Sequence, residues 1–548
     1  MSTEVPLLNV QVDGVWMQFP KGTKLIDACN KAGKFIPHYC YHPKLSIPGN
    51  CRMCLIEMGM PKMGPDRKPI MAADGHAEIA WIPRAQISCA QDIVEGMGVR
   101  TDSPMVQECR KGVMEFLLIN HPLDCPICDQ AGECRLQEFS VEYGNAESRF
   151  LERKVKKPKN VELGPRVTLD AERCVLCSRC IRFMKEVAHD DVLGFVDRGG
   201  FSTIACHPDK TLESNYSLNT VDICPVGALT STDFRFKMRV WFLKETKTID
   251  VSDGLGCNIL IGSREDKIFR ITPRENNDVN QFWMPDSHRL AYKAIHSENR
   301  LTQPTVDSKP VEWSEAIAVA LSSLKAAGSL AMVASARLTN EELYLARHLA
   351  KALNITLHDV IPRKGQPDGI LIPEDRNPNT AGAKLLGLTG ETPGTALPEL
   401  LDAVRKGTIQ GIVCLGEDLT ECGFSLEDLA KLKALVTTST HSNATTKAAH
   451  VVLPGTVWAE KRGSMINIHG RLQRLNKAVE PIGHAKDDWE ILAALLAGAG
   501  SNLSLHSIED VFRALSQDVA QFNGLNLGKI GDLGIQLLPK AEVATPTA

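Results

Sequence analysis

Three groups of residues stand at spacings that suit metal chemistry. Cys40, Cys51, Cys54 and Cys89 follow C-x10-C-x2-C-x34-C, and His121, Cys125, Cys128 and Cys134 follow H-x3-C-x2-C-x5-C. Cys174, Cys177 and Cys180 form a C-x2-C-x2-C run that the remote Cys224-Pro225 completes. Thiolates bind iron–sulfur clusters in sets of four, and a C-x2-C-x2-C…C-P signature marks a 4Fe–4S site. Several such sites in one chain make sense when electrons pass between them. The pattern suits carrying charge rather than transforming a substrate.

The sets differ in how many alternatives they leave open. Cys51 and Cys54 are close enough for one turn to aim both sulfurs at one metal, with Cys40 and Cys89 closing the loop. The spacing is not the plant-type C-x4-C-x2-C, and zinc also accepts C-x2-C pairs. In the second set Cys109 rivals His121 as fourth ligand, but it falls inside a predicted helix, whereas His121 shares a loop with the three cysteines. An imidazole in place of a thiolate raises a cluster's potential, as the two histidines of Rieske centres do. In the third set only one triplet exists, so Cys224 most simply completes its own cluster. His38 and His42 flank Cys40 and can either tune a cluster sulfur by hydrogen bonding or be ordinary loop histidines. Cys29, Cys109, Cys206, Cys257, Cys414 and Cys422 read as small buried apolar residues.

Elements must hold these ligands. Leu8, Val10 and Val12, then Asp13-Gly14, then Val15, Met17 and Phe19 alternate around a turn, which predicts a hairpin. A helix follows, with Thr23 as its N-cap and Leu25, Ile26 and Cys29 on one face. Hairpin, helix and cysteine loop in that order predict a β-grasp 2Fe–2S domain. Residues 59–75 read as a surface insertion. Residues 104–119 predict a helix with Pro104 in its first turn. The charged stretch 152–160 reads as a linker, and 240–300 as β-rich. Beyond 301 the texture is α/β: Leu330–Ser335, Gly411–Leu415, Ala434–Thr437 and Val451–Leu453 read as parallel strands. Thr339-x-x-Glu342 is a capping box for a helix with Leu345, Leu349 and Leu353 inward. The tail 541–548 reads as disordered, and no internal repeat is found.

At 548 residues the chain should hold several domains. With 62 basic and 66 acidic residues it offers no electrostatic case for nucleic acid. Of the 17 cysteines only Cys414 and Cys422 follow Cys257, a distribution unlike a disulfide framework. No signal or transit peptide is recognised at the start, and no apolar run reaches the ~20 residues of a membrane span. A reducing cytoplasm is expected, with membrane contact only through partner subunits.

The stretches Cys40-Tyr41-His42-Pro43 to Cys54, INHPLDCPICDQAGEC (119–134) and RCVLCSRC (173–180) resemble the large iron–sulfur subunits of respiratory complex I, the NADH-quinone oxidoreductases. The resemblance implies His121 as a ligand. It also implies one 2Fe–2S and two 4Fe–4S clusters, a flavin- and NADH-binding partner with other peripheral-arm subunits, and a place at the cytoplasmic face of a bacterial inner membrane. It suggests an order of domains: a 2Fe–2S ferredoxin-type domain over 1–100, a 4Fe–4S domain with one histidine and three cysteine ligands over 101–151, and a 4Fe–4S ferredoxin-like domain over 161–235. A β-rich degenerate fourth-cluster domain would follow over 240–300, then an α/β scaffold over 301–540. That last part is similar to molybdopterin oxidoreductases through residues 448–475. Those enzymes carry a further C-x2-C-x3-C…C motif near residue 250, where this chain keeps only Cys257, so a truncated domain without molybdopterin is expected. Two alternatives share the N-terminal wiring: the catalytic subunit of an NAD-linked formate dehydrogenase, and the electron-transfer subunit of an NAD-linked hydrogenase.

Overall fold

A computed structural model describes residues 5–501 and 503–540; the tail read as disordered lies outside them. The chain forms two compact units, residues 1–241 and 242–548.

The first unit opens on the expected hairpin. Leu7–Val12 and Val15–Pro20 pair antiparallel across Asp13 and Gly14, both at positive φ, so the turn matches the strands' right-handed twist. Leu7–Val12 also pairs in parallel with Met97–Arg100, which runs antiparallel to Leu55–Pro61. The helix Leu25–Lys31 covers one face, burying Leu25, Ile26 and Cys29. Its N-cap is Lys24, not Thr23, whose hydroxyl instead donates to the Pro20 carbonyl. The turn after the second strand claims that hydroxyl first. Within the 59–75 excursion Met63 and Met71 are exposed.

Ser103 caps the helix Pro104–Leu118. Residues 152–160 are irregular, as expected, yet pinned rather than free: Lys159 reaches Asp124, Asp170 and Glu172. The short helix Arg179–Glu186 and two small sheets complete the unit.

The second unit starts with an antiparallel sheet of Lys244–Ile249, Asn258–Arg264 and Lys267–Pro273. A seven-stranded sheet follows, and Leu357–Val360, Leu330–Ala334, Gly411–Leu415, Ala434–Ser439 and Val451–Pro454 form its parallel run. Alternate residues feed two cores. Met332, Val413, Leu415 and Val436 pack under the helices Trp313–Ala327, Asn340–Ala352 and Asp488–Gly498. Val333, Ile412, Cys414 and Leu435 pack under Leu397–Arg405 on the other face. Burial on both faces explains why these strands read as unbroken apolar runs. The capping box forms, with Thr339 and Glu342 exchanging hydrogen bonds. Leu345 and Leu349 are buried, while Leu353 ends the helix half-exposed. No described helix is long and apolar enough to cross a membrane.

Candidate iron–sulfur centres

The first unit brings each ligand set together. Cys40 lies in the loop beyond the helix Leu25–Lys31, Cys51 and Cys54 lead into the strand Leu55–Pro61, and Cys89 follows the strand Gln86–Ile87. The thiols of Cys40 and Cys51 are hydrogen-bonded, as are those of Cys54 and Cys89, and Cys89 feels the charge of the other three. The Cys40 thiol, and then the N–H groups of Cys40, Tyr39 and Met53, hold Cys51 down to about 5 against its burial. Four converging sulfurs with amide donors aimed at one of them fit a thiolate-bound cluster.

His121 stands beyond the end of the helix Pro104–Leu118, Cys125 opens a single turn, and Cys134 precedes the helix Arg135–Tyr143. His121, Cys125, Cys128 and Cys134 line one cavity of about 940 Å³, and Cys109 does not. Burial, then the charges of Arg173 and Lys154, lower His121 to about 4, so the imidazole is neutral and keeps a lone pair for a metal. The donor set suits a cluster that takes one nitrogen and three sulfurs.

Cys174, Cys177, Cys180 and Cys224 line a single narrow cavity. Leu176 and Ser178 adopt left-handed φ, which lets the triplet wrap inward within a few residues. Burial pushes Cys174 to about 12 and Cys224 to about 11. Ionised thiols there need a metal's positive charge to offset the low dielectric, which again fits a cluster.

The third set touches both of the others. Asn50 Nδ2 donates to the Leu176 carbonyl at 3.1 Å, and Arg182 Nη2 donates to the carbonyls of Cys40 at 2.5 Å and Cys177 at 3.4 Å. Arg179 bonds the carbonyls of Tyr41 and Ile223. On the other side the Arg135 backbone N–H donates to the Pro225 carbonyl at 3.1 Å, and Arg173 reaches Asp124 beside Cys125. Gly227, three residues past Cys224, packs against the Cys128 sulfur. Buried Tyr39 lies where it feels the charges of both Cys51 and Cys134. The sequence reading missed this arginine framework, although RCVLCSRC displays two of its members.

Among the flanking residues, His38 Nδ1 lies 2.7 Å from the Ile36 carbonyl, and His42 Nδ1 accepts from the Lys44 N–H. Burial holds both imidazoles neutral. Cys29, Cys257 and Cys414 are buried, but Cys109, Cys206 and Cys422 are only half-buried. Cys257→Ser should leave the iron content of the purified chain unchanged. Loss of iron would place a further cluster at that position.

In open parallel sheets ligands bind beyond the carboxyl ends of the strands. There Arg363 is already clamped by the fully buried Glu417, at 2.8 Å through Nη1, and by Glu421 at 2.7 Å. A cation tied to two carboxylates is not available to a pyrophosphate.

The comparisons with known proteins follow the same order along the chain. Residues 6–104 match the 2Fe–2S iron–sulfur cluster binding domain, and 110–149 the NADH-ubiquinone oxidoreductase-G iron–sulfur binding region. Residues 164–230 match the ferredoxin-like domain of NADH-quinone oxidoreductase subunit 3, and 243–293 the NDSU1/NuoG-like 4Fe–4S domain. Residues 360–497 match molybdopterin oxidoreductase. The G subunit of NADH-quinone oxidoreductase from Rickettsia conorii is 31% identical over 95% of this chain and 92% of its own length. The Rickettsia bellii protein of the same name is 34% identical over 99% and 80%. The mitochondrial 78 kDa subunit of NADH-ubiquinone oxidoreductase from Neurospora crassa is 30% identical over 98% and 88%. A solved NAD+-reducing nickel–iron hydrogenase chain aligns with 42% of this chain and 91% of its own at 26% identity and a TM-score of 0.35. The succession of iron–sulfur domains ending in a molybdopterin-type fold, shared over nearly the whole length, shows that this chain belongs to the family of NADH-quinone oxidoreductase G subunits.

Proposed function

We propose that the chain holds one 2Fe–2S cluster on Cys40, Cys51, Cys54 and Cys89. Two 4Fe–4S clusters would sit on His121, Cys125, Cys128 and Cys134, and on Cys174, Cys177, Cys180 and Cys224. When bound, these clusters supply one-electron carriers between a flavin subunit that oxidises NADH and quinone held elsewhere in the complex. The complex would lie at the cytoplasmic face of a bacterial inner membrane, which this chain would reach only through partner subunits. The observation that carries the reading is the place of the third set, whose backbone contacts both others. Last in the chain, it stands against both of the others.

The chain's own residues do the positioning. Arg182 ties the backbones of two ligand cysteines and adds positive charge beside both sets. Arg173 and Lys159 fix Asp124 beside Cys125. The second set opens among exposed Phe116, Leu123 and Val141, an apolar rim suited to a partner subunit that carries the next electron acceptor. The α/β unit serves as a scaffold without a pterin, supported by the clamped Arg363 and by the missing cysteines near residue 250.

His121 gives the direct test. His121→Cys should keep the cluster and lower its midpoint potential, and His121→Ala should lose iron from that set alone. Redox titrations that leave both variants like the parent would reject the ligand set. The native assembly, solubilised gently, should couple NADH oxidation to quinone reduction. A soluble assembly that instead oxidises formate or hydrogen would overturn the relay assignment.

A further inference from the structure

The loop that closes the first sheet of the second unit holds an arrangement the relay does not use. Asp250, Asp253 and His288 are all buried, and each offers one ligand atom within 4.8 Å of the others. Asp250 and Asp253 follow the strand Lys244–Ile249, and His288 comes from the short helix Asp286–Arg289. The two carboxylates are oriented through their inner oxygens. Asp250 Oδ1 accepts from the Ser252 N–H at 3.1 Å and its hydroxyl at 2.7 Å, and Asp253 Oδ1 accepts from the Leu255 N–H at 2.9 Å.

The outer oxygens face one imidazole nitrogen. Asp250 Oδ2 lies 2.8 Å from His288 Nδ1, and Asp253 Oδ2 lies 3.8 Å from the same atom. One Nδ1–H can satisfy only one of them. Asp253 Oδ2 is left with no hydrogen-bond partner on a side chain 1% exposed. A buried carboxylate oxygen in that condition is costly unless a cation meets it.

The spacing adds an independent observation. Asp250-x2-Asp253-x3-Cys257 reproduces the C-x2-C-x3 register of the cluster motif absent here, with aspartates at its first two positions. The loop is closed by the Asp250 N–H donating to the Cys257 carbonyl at 2.8 Å. Carboxylates in place of thiolates exchange soft donors for hard ones. Two carboxylates and an imidazole no longer suit an iron–sulfur cluster and instead suit a single divalent ion.

We propose that Asp250, Asp253 and His288 bind one divalent transition-metal cation, with Zn2+ the ion this donor set favours, as a structural site where a fourth cluster would otherwise stand. Two carboxylates carry the charge that balances a divalent ion, and the imidazole adds a neutral nitrogen once the cation displaces its Nδ1 proton. The hydrogen bonds on the inner oxygens supply the outer layer that fixes ligand orientation. The inference is independent of how the three clusters of the first unit are assigned.

The test uses the full chain with its clusters, free of any affinity tag, grown with added zinc. Zinc, manganese, cobalt, nickel and iron per chain are measured in the parent, Asp253→Asn and His288→Ala. One equivalent of non-iron metal is expected in the parent, with at least about a tenfold loss in both variants at unchanged iron. Unchanged iron matters because vacated cluster cysteines also take zinc. A parent with full iron and no such metal, or variants that keep it, would overturn the site.

Thermal unfolding separates the readings where a variant's metal content is ambiguous. If a cation is held, added zinc raises the melting temperature of the parent and not that of Asp253→Asn. If the pocket holds only the three side chains, the Asp253–His288 ion pair is present with or without zinc, and added zinc moves neither. A zinc-independent melting temperature in the parent rejects the proposal.

Discussion

Gly227→Ala should strip the second cluster from the protein while leaving the first in place. A Cβ built on Gly227 falls well inside contact distance of the Cys128 sulfur and 3.1 Å from Gln130 Cβ. Gly227 is not among the glycines at positive φ, so the substitution acts through space rather than through backbone strain. The sulfur cannot hold its position and still meet a cluster, because it is anchored from behind by Arg239, which donates to the Cys128 carbonyl at 2.6 Å. Iron per chain should fall by one 4Fe–4S complement, with the 2Fe–2S signal retained in electron paramagnetic resonance. Full iron in this variant would mean that Cys128 does not ligate from where the structure puts it.

Lys461→Met should strongly destabilise the second unit. Lys461 Nζ lies 2.9 Å from Glu342 and 3.1 Å from Asp488, and all three side chains are buried. Replacing the cation leaves two buried carboxylates facing each other, a loss of about 3–5 kcal/mol. At roughly 2–4 °C per kcal/mol for a domain of this class, the melting transition should drop by about 10 °C. Burial and the charge of Asp488 push the Glu342 carboxyl up, and Lys461 holds it down. Without Lys461 the Thr339 backbone N–H is left to hold it down against burial and Asp488, so the folded-state pKa lies further above its unfolded value. A group shifted that way costs stability above its unfolded pKa and stops costing as pH falls. The deficit relative to the parent should therefore shrink from pH 8 toward pH 5, and Glu342→Gln in the same chain should restore part of it. A deficit independent of pH would show that the carboxylates are not what the substitution exposes.

How far these features could be read in advance depends on how local their causes are. The hairpin at Asp13-Gly14, the proline-opened helix from Pro104 and the Thr339–Glu342 capping box are set by neighbours within a few residues, and all three formed. Thr23 failed as a cap because a competing acceptor, the Pro20 carbonyl, lay equally close in sequence. The cysteine and histidine spacings were legible because each set lies mostly within short loops, and the second and third sets each line one cavity. Contacts between the sets were not, since Arg182 meets the Cys40 carbonyl across 142 positions and Lys461 meets Glu342 across 119. Nothing local distinguishes those side chains from solvated ones. Asp250 and His288 stand 38 positions apart, so no local pattern joins the histidine to the aspartate pair.

The set that contacts both others is the last to leave the ribosome. A nascent chain that has emerged through about residue 150 already carries every proposed ligand of the first two sets. It still lacks Arg173 and Lys159 to hold Asp124, Pro225 to receive Arg135, Gly227 to pack on Cys128, and Arg239 to anchor the Cys128 loop. The second set therefore reaches its final form only once synthesis has passed Arg239. If these sets take clusters, metal delivery to this unit has to wait for, or survive, translation of its whole length, and a chain stalled before that point would present half-built thiol pockets to solvent.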